Sequence, residues 1–185
     1  MMYLSKGLPV QEISGKEFQV SHCGKIFALG PKLEALWRAA QRAPQDVPSG
    51  KERFIQLLEQ SGLVMTTAEH GKLGNYLLLA DCIICPAPEN TDSVWLGRDN
   101  RIWTWIKKAG LRLTACELVR LEELHTMPIP ELLGEDGRQE LTERIYTPET
   151  IADGVLPALM EHSPARDPLV DSLLRLLRTD RLFLI

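Results

Sequence analysis

The sequence predicts an α+β fold that is predominantly helical, with small β-hairpins, and three observations carry the prediction. Apolar residues recur at three- and four-residue spacing in several segments, which marks one buried stripe along a helix. Two Ser/Thr-x-x-Glu signals, Ser49 to Glu52 and Thr114 to Glu117, stand just ahead of such segments, the pattern of a capped helix start. Runs with strand character are short and bounded by glycine, proline or polar turns.

In chain order, Phe18-Gln19-Val20 and Ile26-Phe27-Ala28-Leu29 flank the polar stretch Ser21 to Lys25 and predict a hairpin with Gly24 at the bend. Pro31 predicts a helix start, because the first helical position loses no hydrogen bond to proline. Leu33, Leu36, Trp37 and Ala40 then share one face, and the run from Ala43 to Pro48 ends that helix. The Ser49 box opens a second helix through Phe54, Leu57 and Leu58, with a stop at Ser61-Gly62 where glycine can turn left-handed. Leu63-Val64-Met65 and the segment Tyr76 to Ile84 read as two strands around a glycine-containing loop, Thr66 to Asn75.

The second half echoes the first. Val94-Trp95-Leu96-Gly97 resembles Phe27-Ala28-Leu29-Gly30, and Trp105 takes the place of Trp37 in a second helix, Asp99 to Ala109, with Ile102 and Ile106 on the same face. Gly110 stops it, and the Thr114 box leads into Leu118, Leu121 and Leu124. A weak internal repeat follows, fading at Met127-Pro128-Ile129-Pro130. Further helices are expected from roughly Arg138 to Ile145, from Thr147 to His162, and from Ser163 or Asp167 to Arg178. Arg181 to Ile185 closes the chain as a strand, the counterpart of Leu63-Val64-Met65. The organisation implied is one unit over residues 1–88, with Pro86-Ala87-Pro88 as linker, and a diverged unit over 89–185.

Composition narrows the function classes. The chain has 185 residues, 44% hydrophobic and 25% charged, with a formal charge of −4, which is ordinary for a globular protein. Divided at Gly97, the first part has nine Lys/Arg against ten Asp/Glu and the second twelve against fifteen. Neither half is basic, so tight nonspecific nucleic-acid binding is not implied. The N-terminal segment lacks the apolar core of a secretory signal, and no run of about eighteen apolar residues exists to cross a bilayer. A cytoplasmic protein with no membrane partner is expected.

The stretch LLLADCIICPAP places Cys82 and Cys85 in the most apolar run of the chain. A structural zinc site wants four thiolate or imidazole ligands, usually as two close pairs on turns, and only this one pair is close. A redox dithiol sits at a helix N-terminus, whereas Pro86-Ala87-Pro88 follows here. Buried, inert thiols in a core strand are therefore the expectation, with a metal at Cys82 and Cys85 as the alternative. His22, His70, His125 and His162 form no ligand spacing, and no phosphate-loop, nucleophile-elbow or dinucleotide motif occurs. No cofactor is expected, and nothing nominates an enzyme.

Helix, turn, capped helix and hairpin between Ile26 and Ile84 resemble the winged helix-turn-helix superfamily, with Thr66 to Asn75 as the wing, and the second half resembles a diverged copy. That resemblance implies tandem winged-helix-like domains and a bias toward DNA-binding transcription regulators, which are often dimers; similar domains also bind proteins or peptides. On the first reading Lys51, Arg53, Gln56 and Gln60 on the second helix, with Lys72 in the wing, would contact double-stranded DNA. Glu52 and Glu59 flank that face and oppose phosphate. On the second reading the chain is an interaction module, with a homodimer or a protein partner. The Leu-rich last helix (Leu173, Leu177), whose apolar side chains cover more than one face and are either packed on two sides or in part a partner surface, and the hairpin from Phe18 to Leu29 then supply the contacts. Trp103 cannot share a face with Trp105, and one of that pair is expected at the interface between the two units, with a partner or solvent as the alternatives.

Overall fold

The computed structural model describes residues 1–10, 17–88 and 97–185. In chain order the strands and helices are β1 (Met2–Ser5), β2 (Leu8–Pro9), β3 (Phe18–His22), β4 (Lys25–Leu29), α1 (Pro31–Ala39), β5 (Gln45–Asp46), α2 (Glu52–Gln60), β6 (Val64–Thr67), α3 (Gly71–Leu79) and β7 (Ile84–Pro86). Then follow α4 (Gly97–Lys108), α5 (Ala115–Glu123), α6 (Arg138–Ile145), α7 (Val155–Met160), α8 (Arg166–Arg178) and β8 (Leu182–Leu184), with a 3₁₀ turn at Pro130–Leu132. The fold is α+β: helices packed on small antiparallel sheets, ordered β5-β1-β6, β2-β3-β4 and β7-β8 among the described residues.

β1 partitions the molecule. It pairs with β6 from Met2 opposite Thr67 to Ser5 opposite Val64. Successive side chains of a strand face opposite ways, and the inaccessible neighbours Tyr3 and Leu4 fall into different apolar clusters. β6 repeats the alternation, Val64 joining the first cluster and Met65 packing on the second. The sheet is thus a wall with a core on each side.

The first core holds Tyr3, Phe18, Val20, Leu29, Leu36, Trp37, Ile55, Leu58 and Leu63. Its large polar tips are satisfied: the Trp37 indole donates to the Lys6 carbonyl at 2.9 Å, and the Tyr3 hydroxyl to the Leu36 carbonyl at 3.1 Å. Buried Trp and Tyr need such partners. The Ser5 hydroxyl donates to the Trp37 carbonyl at 2.7 Å, which fastens α1 to the end of β1.

The second core gathers α3, β7, α4 to α8 and β8 around Leu78, Ile102, Leu118, Leu141, Met160 and Leu173. β7 and β8 pair with Ile84 opposite Leu184 and Pro86 opposite Leu182, so strand pairing with the C-terminal end reaches into Pro86-Ala87-Pro88. Apolar packing changes from one core to the other between β6 and α3.

Several expectations agree with this fold. The hairpin forms with Phe18 opposite Leu29 and His22 opposite Lys25. α1 begins at Pro31, and the Thr114–Glu117 capping box is complete at the start of α5.

Others need correction. Thr66 to Asn75 is not a hairpin loop and Tyr76 to Ile84 is not one strand: Gly71–Leu79 is helix α3. Tyr76, Leu78 and Leu79 are buried, and Leu73 and Leu77 partly so. A helix covered on most sides has the same unbroken apolar run as a buried strand. Gly74 is there for closeness, since a Cβ would stand 2.4 Å from the Glu69 carbonyl oxygen.

The Ser49–Glu52 box does not form. α2 starts at Glu52 with Lys51 as its cap residue and no side-chain cap bond, and the Glu52 carboxylate instead accepts from the Gly50 amide at 3.1 Å. The helix expected from Thr147 shrinks to α7, because Gly154 is left-handed at φ 77° immediately before it. Val94, Trp95 and Leu96, on which the repeat partly rested, lie outside the described residues.

Candidate functional site

α2 carries three of the five residues proposed for DNA and Lys51 is its cap residue; Lys51, Arg53, Gln56 and Gln60 are all exposed. Ile55 and Leu58 turn inward, so the helix presents Arg53, Gln56 and Gln60 together on its outer half, while the cap residue Lys51 lies on the other side with its ammonium over the Phe54 ring. Glu52 and Glu59 share the exposed part, and Glu59 accepts a hydrogen bond from the Thr66 hydroxyl. The formal charge of the Lys51–Gln60 stretch is therefore zero. Lys72 is not brought to this face. It sits on α3 and pairs at 3.4 Å with Asp167 at the start of α8.

Burial decides between the two expectations for the last helix in favour of packing on two sides, and it takes the interaction candidates on the second core out of the surface. Leu173 and Leu177 are 1% and 4% exposed, and Trp103 is 5% exposed with the Lys107 ammonium 5.6 Å from its ring. Trp105 is buried as well. α8 meets α3, α4, α5 and β8, so its leucines are consumed by the chain's own helices. None of these three side chains is a surface for a partner.

The cysteine pair divides between two environments. Cys82 follows α3 and donates to the Leu78 carbonyl at 3.2 Å, in the manner of a continuing helix, while Cys85 lies in β7. Both are buried, and burial pushes the Cys82 thiol up to about 12 and the Cys85 thiol upward. Among the described residues no group of three His, Cys, Asp or Glu side chains is arranged to hold a metal ion.

A recess of about 350 Å³ beside α5 and α7 is lined by Asp81, Thr114, Cys116, Tyr146 and Asp153. Beneath it the buried Glu117 carboxylate accepts from the Tyr146 hydroxyl at 2.6 Å and from the Thr114 amide and hydroxyl at 2.5 and 3.0 Å. Burial pushes the Cys116 thiol up to about 11, and burial with the bond to Glu117 holds the Tyr146 hydroxyl above its ordinary range. These groups stay protonated near neutrality and act as packing and hydrogen-bonding groups. A larger cleft of about 760 Å³ between α1 and β8 is spanned by the ion pair of Arg42 and Asp180 at 2.7 Å.

The surface that sequence reasoning only half found is the seam between β4 and α2. A groove of about 480 Å³ runs there, lined by Ile26, Phe27, Ala28 and Leu29 of β4, Leu33 of α1, and Leu57, Leu58, Gln60 and Ser61 around the end of α2. No charged side chain lines it. Ile26 is 63% exposed and Leu57 45%, so two large aliphatic side chains, one from β4 and one from α2, line the groove without being buried. Phe54, half-buried one turn before Leu57, has the Lys32 and Lys51 ammonium groups each 5.7 Å from its ring centroid.

The hairpin turn closes the other end. His22 is buried with its Nδ1 unpartnered, its Nε2 lies 3.4 Å from the Cys23 thiol, and a Cβ on Gly62 would touch its ring at 3.5 Å. Burial, then the nearby Lys6, hold the imidazole below its ordinary range. The sequence contained half of a signal for the site: Leu57 belongs to the apolar residues of its helix, yet among the described residues it stays 45% exposed. Comparison with protein-family models, with curated proteins and with solved structures finds no match to this chain.

Proposed function

We propose that this chain is a non-enzymatic protein- or peptide-interaction module, and that the seam between β4 and α2 is its binding surface. The observation that supports this most directly is that Ile26 of β4 and Leu57 of α2, large aliphatic groups, line one uncharged groove and are left in water. Full burial of such a side chain is worth about 1.5–3 kcal/mol, so covering both gives a partner a substantial part of a specific contact. The helix-turn-helix formed by α1 and α2 is the part of a winged-helix plan that belongs to this reading, in a cytoplasmic protein with a second unit of related origin.

The test is selection of a random peptide display library against the protein, followed by counter-selection against an Ile26→Ser, Leu57→Ser double variant. Both positions are exposed, so the variant should unfold in urea like the parent. Enrichment of peptides that bind the parent and not the variant is expected. Peptides indifferent to the two substitutions, or no enrichment, would remove the proposal.

A DNA-binding transcription regulator is the second reading, favoured by the joint exposure of Arg53, Gln56 and Gln60 on one helix face, with Lys51 exposed at the helix start. It ranks second because Glu52 and Glu59 cancel the charge of that stretch, and phosphate contacts supply most nonspecific affinity. A mobility shift of random duplex at low salt, lost in an Arg53→Ala, Gln56→Ala variant, would reverse the order.

A further inference from the structure

We propose that the occupant of the groove is an extended peptide of another protein, added to β4 as a fourth hydrogen-bonded strand and carrying acidic residues at both of its ends. The proposal rests on the interaction reading above and specifies the geometry and chemistry of the partner.

The hairpin turn sets which backbone groups of β4 are open. Cys23 and Gly24 both have positive φ, 48° and 74°, which is the two-residue type I′ hairpin. In such a hairpin the flanking residues, His22 and Lys25, form the first hydrogen-bonded pair, and the ladder then alternates. Val20–Phe27 and Phe18–Leu29 are the next bonded pairs. The N–H and C=O groups of Ile26 and Ala28 consequently point away from β3.

β4 is an edge strand in the order β2-β3-β4, and among the described residues no backbone hydrogen bond joins Lys25–Leu29 to anything beyond β3. Edge strands are normally blunted by proline, by a bulge, by charges or by a covering segment. β4 is regularly paired over its five residues, contains no proline, and has its one charge, Lys25, at the turn end. The groove touches four consecutive residues, Ile26 to Leu29, whose side chains alternate between sheet faces. Only a groove that follows the strand's edge meets both sets, so the open row of amides and carbonyls forms one of its walls.

Cations stand just beyond the lining residues at both ends of the groove. Gly62 packs against His22, which puts the C-terminal end of α2 beside the turn and Lys25. Leu29 runs through Gly30 into α1, where Leu33 lines the other end and Lys32, with Lys51 of the α2 cap, brackets Phe54. A strand matching β4 in length therefore lies between cations at both termini, with no carboxylate in the lining. Its alternate side chains reach the gap between Ile26 and Leu57. Strand addition takes affinity from main-chain bonds and specificity from pockets at every second residue.

The peptides selected in the preceding test are the probes. Their sequences should alternate apolar and polar residues between acidic ends, and amide exchange at Ile26 and Ala28 should slow on binding while Gln56 stays unchanged. N-methylation of one alternate set of peptide amides should weaken binding to the unaltered protein by tenfold or more, and methylation of the other set by less than threefold. Ala28→Pro, which deletes an outward N–H, should weaken it about tenfold, and Lys25→Glu with Lys32→Glu should shift preference to lysine-ended versions. Selected peptides with three- and four-residue apolar spacing, or equal effects of both methylation sets, would overturn strand addition while leaving a Leu57-dependent interaction module intact. A concentration-dependent homodimer that competes with the peptides and is lost in Ala28→Pro would overturn the foreign partner in favour of a second copy.

Discussion

α2 and α8 are both amphipathic helices rich in leucine, yet α2 buries two of its nine residues and α8 seven of its thirteen. The difference lies in their neighbours. α8 is packed by α3, α4, α5 and β8, whereas α2 meets α1 and β6. Leucine-dense α8, the more adhesive of the two in sequence, is therefore inert, and the less apolar α2 leaves Leu57 in water beside an open strand edge. Apolar content reports how many contacts a helix needs, and only the surrounding elements decide whether the chain itself supplies them.

The largest expected effect separates the two helices directly. Leu173→Ala should cost about 2–5 kcal/mol of stability by urea titration, while Leu57→Ala should stay within about 0.5 kcal/mol. Similar losses at both positions would mean that Leu57 is covered and would end the contrast.

The helix starts sharpen it next. Thr114→Ala should cost about 1 kcal/mol because its hydroxyl caps α5, whereas Ser49→Ala, whose box is unformed at α2, should change unfolding by no more than a few tenths. Equal losses would indicate that both boxes are closed in solution.

Thiol titration compares the cores with the hairpin turn. Cys82 and Cys116 are raised in the fold to about 12 and 11. A raised folded value contributes stability that is complete below the ordinary thiol range near 8.5 and is lost as pH climbs through the folded value. Unfolding midpoints should thus fall between about pH 9 and 12. At pH 8 a thiol reagent should label exposed Cys23 and spare the three buried cysteines until urea is added; rapid native labelling of Cys82 would contradict its burial.

The smallest effect concerns the surface of the second core. Burial alone would raise Asp99, but hydrogen bonds from Arg175 and Ser172 outweigh it and hold the carboxyl below its ordinary range. That contribution is present above the ordinary carboxylate range and disappears as pH falls through the lowered value. Asp99→Asn should therefore flatten the acid limb of the stability profile, with little change near neutrality. An unaltered acid limb would show that the α4–α8 contact is not maintained.

Legibility in the sequence followed the range of the interactions. The β3–β4 hairpin, the Pro31 start of α1, the Thr114 cap and the core of α6 rest on turn, cap and periodicity chemistry within a few residues, and each was readable. β1 was not, because MYLS has no local strand signal as strong as the partners that make it one, β5 and β6. α3 was misread because packing on α5, α8, β1 and β6 removed the polar face that would have revealed its period. For the site, the exposed side chains of α2 were legible and their proximity to β4 was not.

By itself the sequence determined the α+β class, the hairpin with its turn, the capped start of α5 and a balanced charge that sets no basic surface. Those follow from short-range sterics, capping bonds and composition. Only the tertiary structure decided that β1 divides two cores, that Leu173, Leu177 and Trp103 are interior, and that the edge of β4 and the uncovered side of α2 meet in one groove. Each of these depends on which distant segment supplies the covering atoms, and a single chain's local pattern carries no term for that.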